Sequence, residues 1–146
     1  QPAFLVNNDG NSAQTLNNNS LTTVGLANEI FDTNADFASN TFTAPVTGKY
    51  QINAQVNVDA GSSSNTRFQQ FGIQLTFSNR NIRFFLGSQY TDEYDRVGQA
   101  GSVICDMDAN DTLVVQAYAS RASGTGTTAI IVSSQYACWM SGYLVA

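Results

Sequence analysis

The sequence predicts an all-β domain, a sandwich or barrel built from short antiparallel strands. Three observations lead there. From Lys49 to Val58 the chain alternates, with Tyr50, Ile52, Ala54, Val56 and Val58 on one face and Lys49, Gln51, Asn53, Gln55 and Asn57 on the other. That period of two belongs to a long strand with one face in an apolar core. Phe68–Ser78 alternates again, with Phe71, Ile73, Leu75 and Phe77 inward. Turn-forming residues recur at short intervals between such runs and no stretch has a helical period, which is the pattern of a sandwich or barrel.

Taken in order, Ala3–Asn7 reads as a short first strand. The run from Asn7 to Asn19, rich in Asn and containing Asp9-Gly10, reads as a loop or short hairpin. Leu21–Val24 and Ala27–Asp32 are strand candidates, and Thr33–Asn40 is a loop anchored by Phe37. Thr41–Thr43 is a strand that turns through Pro45 and Gly48 into the long one. Asp59–Arg67 reads as an exposed Gly/Ser/Asn linker. Ser78-Asn79-Arg80-Asn81 turns the chain into a strand over Ile82–Tyr90, and Thr91–Ala100 reads as an acidic loop. Gly101–Met107 and Thr112–Ser120 form a hairpin around Asp108–Asp111. Ala122–Thr128 is a further loop, followed by Ile130–Ser133 and a last strand, Tyr136–Val145.

The 146 residues form one domain, long enough for a real core. Hydrophobic residues make up 42% and charged ones only 12%, so Asn, Gln, Ser and Thr carry most of the surface polarity. Such a surface suits an exported or virion-borne protein. The net charge is −5 and Lys49 is the single lysine. That argues against nucleic acid and anionic membrane as partners, because phosphate contacts need clustered Lys and Arg. No apolar run approaches the roughly 20 residues of a membrane span. No signal peptide is present, and Gln1 reads as the start of a mature or excised fragment. By alternation Cys105 shares a face with Val103 and Met107, and Cys138 with Met140 and Leu144, so both read as small core residues.

Several stretches resemble one family. The residues FDTN at Phe31–Asn34, followed by NTFTAPVTGKYQINAQV from Asn40 to Val56, are similar to the signature of the C1q-like globular head, a relative of the tumour necrosis factor fold. Gln1-Pro2-Ala3-Phe4 resembles the family's opening strand. Gly101–Met107 and Asn110–Tyr118 resemble its late hairpin, and Met140–Val145 its closing strand. The resemblance spans the chain in the right order. It implies a two-sheet antiparallel jelly roll of about ten strands that assembles as a homotrimer. In the family's strand order the strands of Cys105 and Cys138 flank the long central strand. Two strand spacings, roughly 9–10 Å, exceed the reach of a disulfide, so two buried free thiols are expected. Family trimers pack the sheet of the long strand around the threefold axis. Gln51, Asn53 and Gln55, with Tyr143 and Val145 of the last strand, are therefore expected to be buried between protomers and hydrogen-bonded there. The departures from animal heads (FTAPVTGKYQI for a usual FTCPVPGLYYF) look more like bacterial or bacteriophage versions of the domain.

Candidate chemistry is sparse. The chain has no histidine, which excludes Ser-His-Asp and Cys-His catalysis and His-based metal sites. Asp92, Glu93 and Asp95 stand close enough in sequence for two-carboxylate chemistry, but loop acids are ordinarily solvated, and the chain is not read as an enzyme. The same loop supplies the calcium candidates, Asp92 and Asp95, since calcium takes carboxylate and carbonyl oxygens from loops. Several C1q-like heads bind calcium near the trimer apex. Those that do usually carry an aspartate where this chain has Gly98, which leaves the set one ligand short. Tyr90, Asp92, Tyr94 and Asp95 are the candidate ligand-binding residues, because Tyr/Asp loops commonly contact sugars or proteins. Asn18-Asn19-Ser20 and Asn110-Asp111-Thr112 match the glycosylation sequon. The resulting expectation is a non-catalytic homotrimeric head, extracellular or on a virion. It would recognise a cell-surface glycan or protein at a fibre tip, without nucleic acid, membrane insertion or cofactor. The competing readings are a purely structural trimerisation cap or capsid-decoration protein, and a secreted animal lectin-like or signalling head.

Overall fold

The computed structural model describes residues 1–59, 68–87, 96–121, 128–134 and 136–146. The strands are β1 (Ala3–Asn7), β2 (Gln14–Asn17), β3 (Ser20–Thr23), β4 (Asn28–Asp32), β5 (Phe37–Ala38), β6 (Thr41–Thr43), β7 (Gly48–Asp59), β8 (Phe68–Phe77), β9 (Asn81–Gly87), β10 (Arg96–Met107), β11 (Thr112–Arg121), β12 (Thr128–Ile131) and β13 (Trp139–Leu144). They form two antiparallel sheets, and no helix occurs among the described residues. In the seven-stranded sheet β7 pairs with β10 on one edge and with β13, then β12, on the other. β1 and β4 follow β13, and β2 follows β12. In the six-stranded sheet the order is β5-β6-β11-β8-β9, with β3 also pairing β11. The chain crosses between sheets from β7 to β8, β9 to β10, β10 to β11 and β11 to β12, as a jelly roll requires.

The core follows from the alternation. Tyr50, Ile52, Ala54, Val56 and Val58 of β7 are all buried, and so are Phe71, Ile73, Leu75 and Phe77 of β8. Each fully buried Val, Leu, Ile or Phe contributes about 1.5–3 kcal/mol relative to exposure. At one end an aromatic cluster joins the sheets. Phe4 stacks on Phe42 at 4.6 Å and on Phe37 at 5.6 Å, and Tyr50 meets Phe42 edge-on at 5.6 Å. Phe37 thus anchors its loop as the sequence predicts. The Tyr50 hydroxyl donates to Val46 O at 2.7 Å, which satisfies the one polar atom of that buried ring.

The expected hairpin around Asp108–Asp111 is instead a crossing between the sheets, since β10 pairs with β7 and β11 with β8, β6 and β3. Three boundaries also depart from the sequence reading. The run after Asn7 contains a short strand, β2, that a turn at Asn18-Asn19 links to β3. The two pair with different sheets, β2 with β12 and β3 with β11, and Asn19 sits in the left-handed region at φ 57°. The acidic loop is shorter than expected, because β10 begins at Arg96 and pairs with β7 from Arg96↔Asp59 to Met107↔Gly48. Gly98, expected in that loop, and Gly101, expected at a strand start, are both interior ladder positions. A β-carbon on Gly98 would collide with the Asn57 side chain, and one on Gly101 with the ring of Phe84. The last strand begins at Trp139 rather than Tyr136, since Tyr136–Cys138 belong to a turn in which Ala137 N donates to Ser134 O at 3.2 Å. The thirteen strands exceed the expected ten because short pieces such as β2 and β5 pair at the sheet margins. Of the stretches read as the linker Asp59–Arg67 and the loop Ala122–Thr128, only Asp59 and Thr128 fall among the described residues.

Cys105 and Cys138 are buried and free. Their chain positions flank β7, Cys105 opposite Tyr50 on β10 and Cys138 one residue ahead of β13. The chain's two ends lie side by side: β1 pairs with β13 from Ala3↔Tyr143 onward, and Leu144 N donates to Pro2 O at 3.0 Å. They sit beside the Gly48 end of β7, where Lys49 N donates to Ala146 O at 2.7 Å.

Candidate functional site

The outer face of the seven-stranded sheet is built by the register of four strands. Residues directly opposite in an antiparallel ladder share a face, so each row can be read across. The first row runs Ala3–Tyr143–Gln51–Ile104, and the second Leu5–Ser141–Asn53–Ser102 with Phe31 of β4 beside Leu5. The third runs Asn7–Trp139–Gln55–Ala100. The centre of the face is polar and uncharged. Gln51 Nε2 donates to Ser102 Oγ at 2.6 Å and to Asn53 Oδ1 at 3.1 Å, and Ser102 Oγ donates to Asn53 Oδ1 at 2.8 Å. Asn53 Nδ2 donates to Ser141 Oγ at 3.3 Å, and Gln55 Nε2 to Tyr136 O at 3.0 Å. The predicted ladder is therefore half-buried and bonded within its own chain.

Apolar side chains flank this polar centre. Ile104 is 57% exposed and Tyr143 48%, one on each side of Gln51; Phe31, Val145 and Tyr136 are exposed as well. A cleft of about 330 Å³ opens between Leu5, Asn7, Tyr136 and Trp139. A second, of about 390 Å³, is lined by Gln55, Asn57, Gly98, Gln99 and Ala100. Charges are confined to the ends of the β7–β10 ladder, where Lys49 lies opposite Asp106 and Asp59 opposite Arg96, the latter pair at 3.3 Å. Opposite charges facing each other across strands hold the register, and they leave the middle of the face free of ions.

Of the residues singled out in the sequence, Gln51, Asn53, Gln55 and Tyr143 are thus brought together on one face, with exposed Val145 two residues further on. Tyr90, Asp92, Tyr94 and Asp95 lie outside the described residues, and so do both calcium candidates. Among the described residues no group of three or more His, Cys, Asp or Glu could hold a metal ion. Both sequon asparagines are exposed and sit in turns. Asn110 adopts φ 74°, and Asn18 accepts a hydrogen bond from Arg121 N at 2.9 Å. The sequence reading missed Ile104, Ser102, Leu5, Phe31 and Trp139 on this face. A signal existed for the first two: placing Val103 and Cys105 inward puts Ser102 and Ile104 outward.

Two facing antiparallel sheets with these crossings define a C1q/TNF-like jelly roll. The chain superposes on the globular domain of zebrafish complement 1qA protein with a TM-score of 0.57 at 16% identity, covering all of this chain and 98% of that one. It superposes on murine APRIL at pH 8.0 with a TM-score of 0.66 at 10% identity, covering 99% and 98%. On Eiger TNF from S. frugiperda it scores 0.59 at 13% identity, covering 100% and 94%. At these identities the likeness is one of fold. No protein-family profile and no curated protein sequence matches the chain.

Proposed function

We propose that this domain is a non-catalytic homotrimeric binding head, displayed outside the cell or on a virion, that recognises a cell-surface glycan or protein. The observation that carries the reading is the outer face of the seven-stranded sheet. An uncharged, internally bonded polar centre bordered by exposed Ile104, Tyr143, Phe31 and Val145 has the character of a protein interface, which is depleted of charge at its core and enriched in aromatics. Gln51, Asn53, Gln55, Tyr143 and Val145 form the contact between copies. Three copies present three identical loop sets, and that multiplicity raises a weak affinity by roughly 10²–10⁴. Tyr90, Asp92, Tyr94 and Asp95 contribute to the ligand contact. The surface rich in Asn, Gln, Ser and Thr supports a bacterial or bacteriophage setting, at the tip of a fibre.

Light scattering at several protein concentrations tests the assembly, with three times 15.7 kDa expected. A monomer at every concentration overturns it. A glycan array probed with the trimer tests recognition. A trimer that binds no glycan and no cell surface leaves only the structural cap.

A further inference from the structure

The inward register of β11 passes through Leu113, Val115, Ala117 and Ala119, and the next residue in it is Arg121. A charged side chain therefore occupies a core position, and it is only 6% exposed. Leu16 O accepts from its Nη2 at 2.9 Å, and the ring of Phe68 lies 5.8 Å from the guanidinium carbon. Nε and Nη1 are buried with no hydrogen-bond partner among the described residues. The ion pairs formed among the described residues, Arg80–Asp106 and Arg96–Asp59, do not involve it. Burial pushes the guanidinium below its ordinary value, yet an arginine stays protonated in proteins. The charge therefore persists while two of its three nitrogens lack acceptors. Leaving a buried charged donor unpaired costs its full desolvation penalty, and one carbonyl and one aromatic face offset only part of that. A methionine or leucine would pack in this register without the penalty. Local rules broken in this way mark functional positions.

We propose that Arg121 is the base of an anion-binding site at this end of the sandwich, with Nε and Nη1 donating to a small oxyanion: a carboxylate, phosphate or sulfate group. The guanidinium offers five N–H donors in a planar fork and no acceptor, which matches the paired oxygens of such groups. The position is separate from the outer sheet face, because Arg121 points between the sheets. The Asp59 end of β7, the Gly87 end of β9 and the Arg96 start of β10 lie at this same end of the sandwich. The oxyanion can be a free ion or the acidic group of a larger molecule, and the two sources separate in the test.

Thermal unfolding is measured at fixed ionic strength while sodium chloride is replaced by phosphate, sulfate, acetate or glucuronate, for the wild type, Arg121→Met and Arg121→Lys. The wild type is expected to show a saturable rise with at least one oxyanion, of roughly 5–10 °C at a hundredfold excess over Kd. Arg121→Met is expected to lose that rise and to melt no lower than the wild type in chloride. Preference for phosphate or sulfate identifies a free-ion site, and preference for glucuronate over acetate a group carried on a sugar. An equal rise in the wild type and Arg121→Met is a general salt effect and overturns the proposal, as does no saturable rise with any of the four. Should Arg121→Met fail to fold, the Arg121 Nε–H resonance of 15N-labelled wild type decides. A saturating shift upholds the site, and a resonance unmoved by all four ions overturns it.

Discussion

The ring of Phe84 occupies the volume that a β-carbon on Gly101 would need. Gly101 lies opposite the small buried Ala54 on β7, so β9 can lay an aromatic ring directly on the facing sheet. Gly101→Val forces the ring or the strand aside and is expected to cost about 1–3 kcal/mol. Urea unfolding reads this as a lower midpoint with an unchanged slope. Pairing Gly101→Val with Phe84→Ala should restore part of the loss, and simple additivity of the two would show that they do not compete for space.

Ile104 borders the polar centre of the outer sheet face and is the more exposed neighbour of Gln51. Ile104→Asp adds a charge there without touching the core of the single chain. Association is expected to weaken more than tenfold, about 1.4 kcal/mol or more, with the circular dichroism of the fold retained. Sedimentation velocity measures it. An unchanged oligomer would place the contact elsewhere.

Acid stability depends on the end of the molecule where the β8–β9 and β10–β11 turns meet. Asp106 is held below its ordinary value of 3.8 by its hydrogen bonds to Arg80, at 2.7 and 2.9 Å. Asp111 is lowered by the Ser78 hydroxyl at 2.6 Å and by the backbone N–H of Asp108 at 2.8 Å. A depressed folded value gives stability that is present above the unfolded value and lost as pH falls through the folded one. Asp36 works in the opposite sense. Burial raises it, so its contribution is complete below 3.8 and lost as pH rises through its folded value. The expected result is that Asp111→Asn lowers the urea midpoint at pH 7 and that its deficit shrinks below about pH 3.8. A deficit that stays constant from pH 7 to pH 2 would mean that ionisation of Asp111 is not what stabilises the turn.

Both thiols should be silent in the native protein. Burial pushes Cys105 and Cys138 up to about 11, and an inaccessible neutral thiol is a poor nucleophile. A thiol reagent at pH 8 is expected to label neither in buffer and both in guanidinium chloride without reductant. Labelling of fewer than two in denaturant would reveal a disulfide.

The sequence made the core legible and its exceptions hard to see. Alternation assigned both faces of β7, because one face packs on apolar residues along the whole strand. It failed at residues 96–100, which it placed in the acidic loop; only the three-dimensional neighbour Asn57 explains why Gly98 stands in a ladder. It placed Tyr136 in the last strand, because an apolar run hides the Ser134–Ala137 turn. The polar phase of β7 singled out Gln51, Asn53 and Gln55, but the apolar border of their face comes from β1, β4 and β10, and strand order decides which of those residues stand beside Gln51. Arg121 was in plain view by parity, two residues after Ala119, but the unmet donors of its guanidinium become visible only with the packing.

The adjacency of the two chain ends has a practical side. Pro2 and Leu144 are hydrogen-bonded neighbours, and they lie at the Gly48 end of β7, a twelve-residue strand away from the Asp59 end. At about 3.3 Å per residue that is close to 35–40 Å. A tag, carrier or surface anchor joined at either end therefore stands clear of Arg121 and the neighbouring strand ends. A linker of a few residues between Ala146 and Gln1 would also let the chain be reopened at another surface turn, giving a circular permutant with the same two sheets.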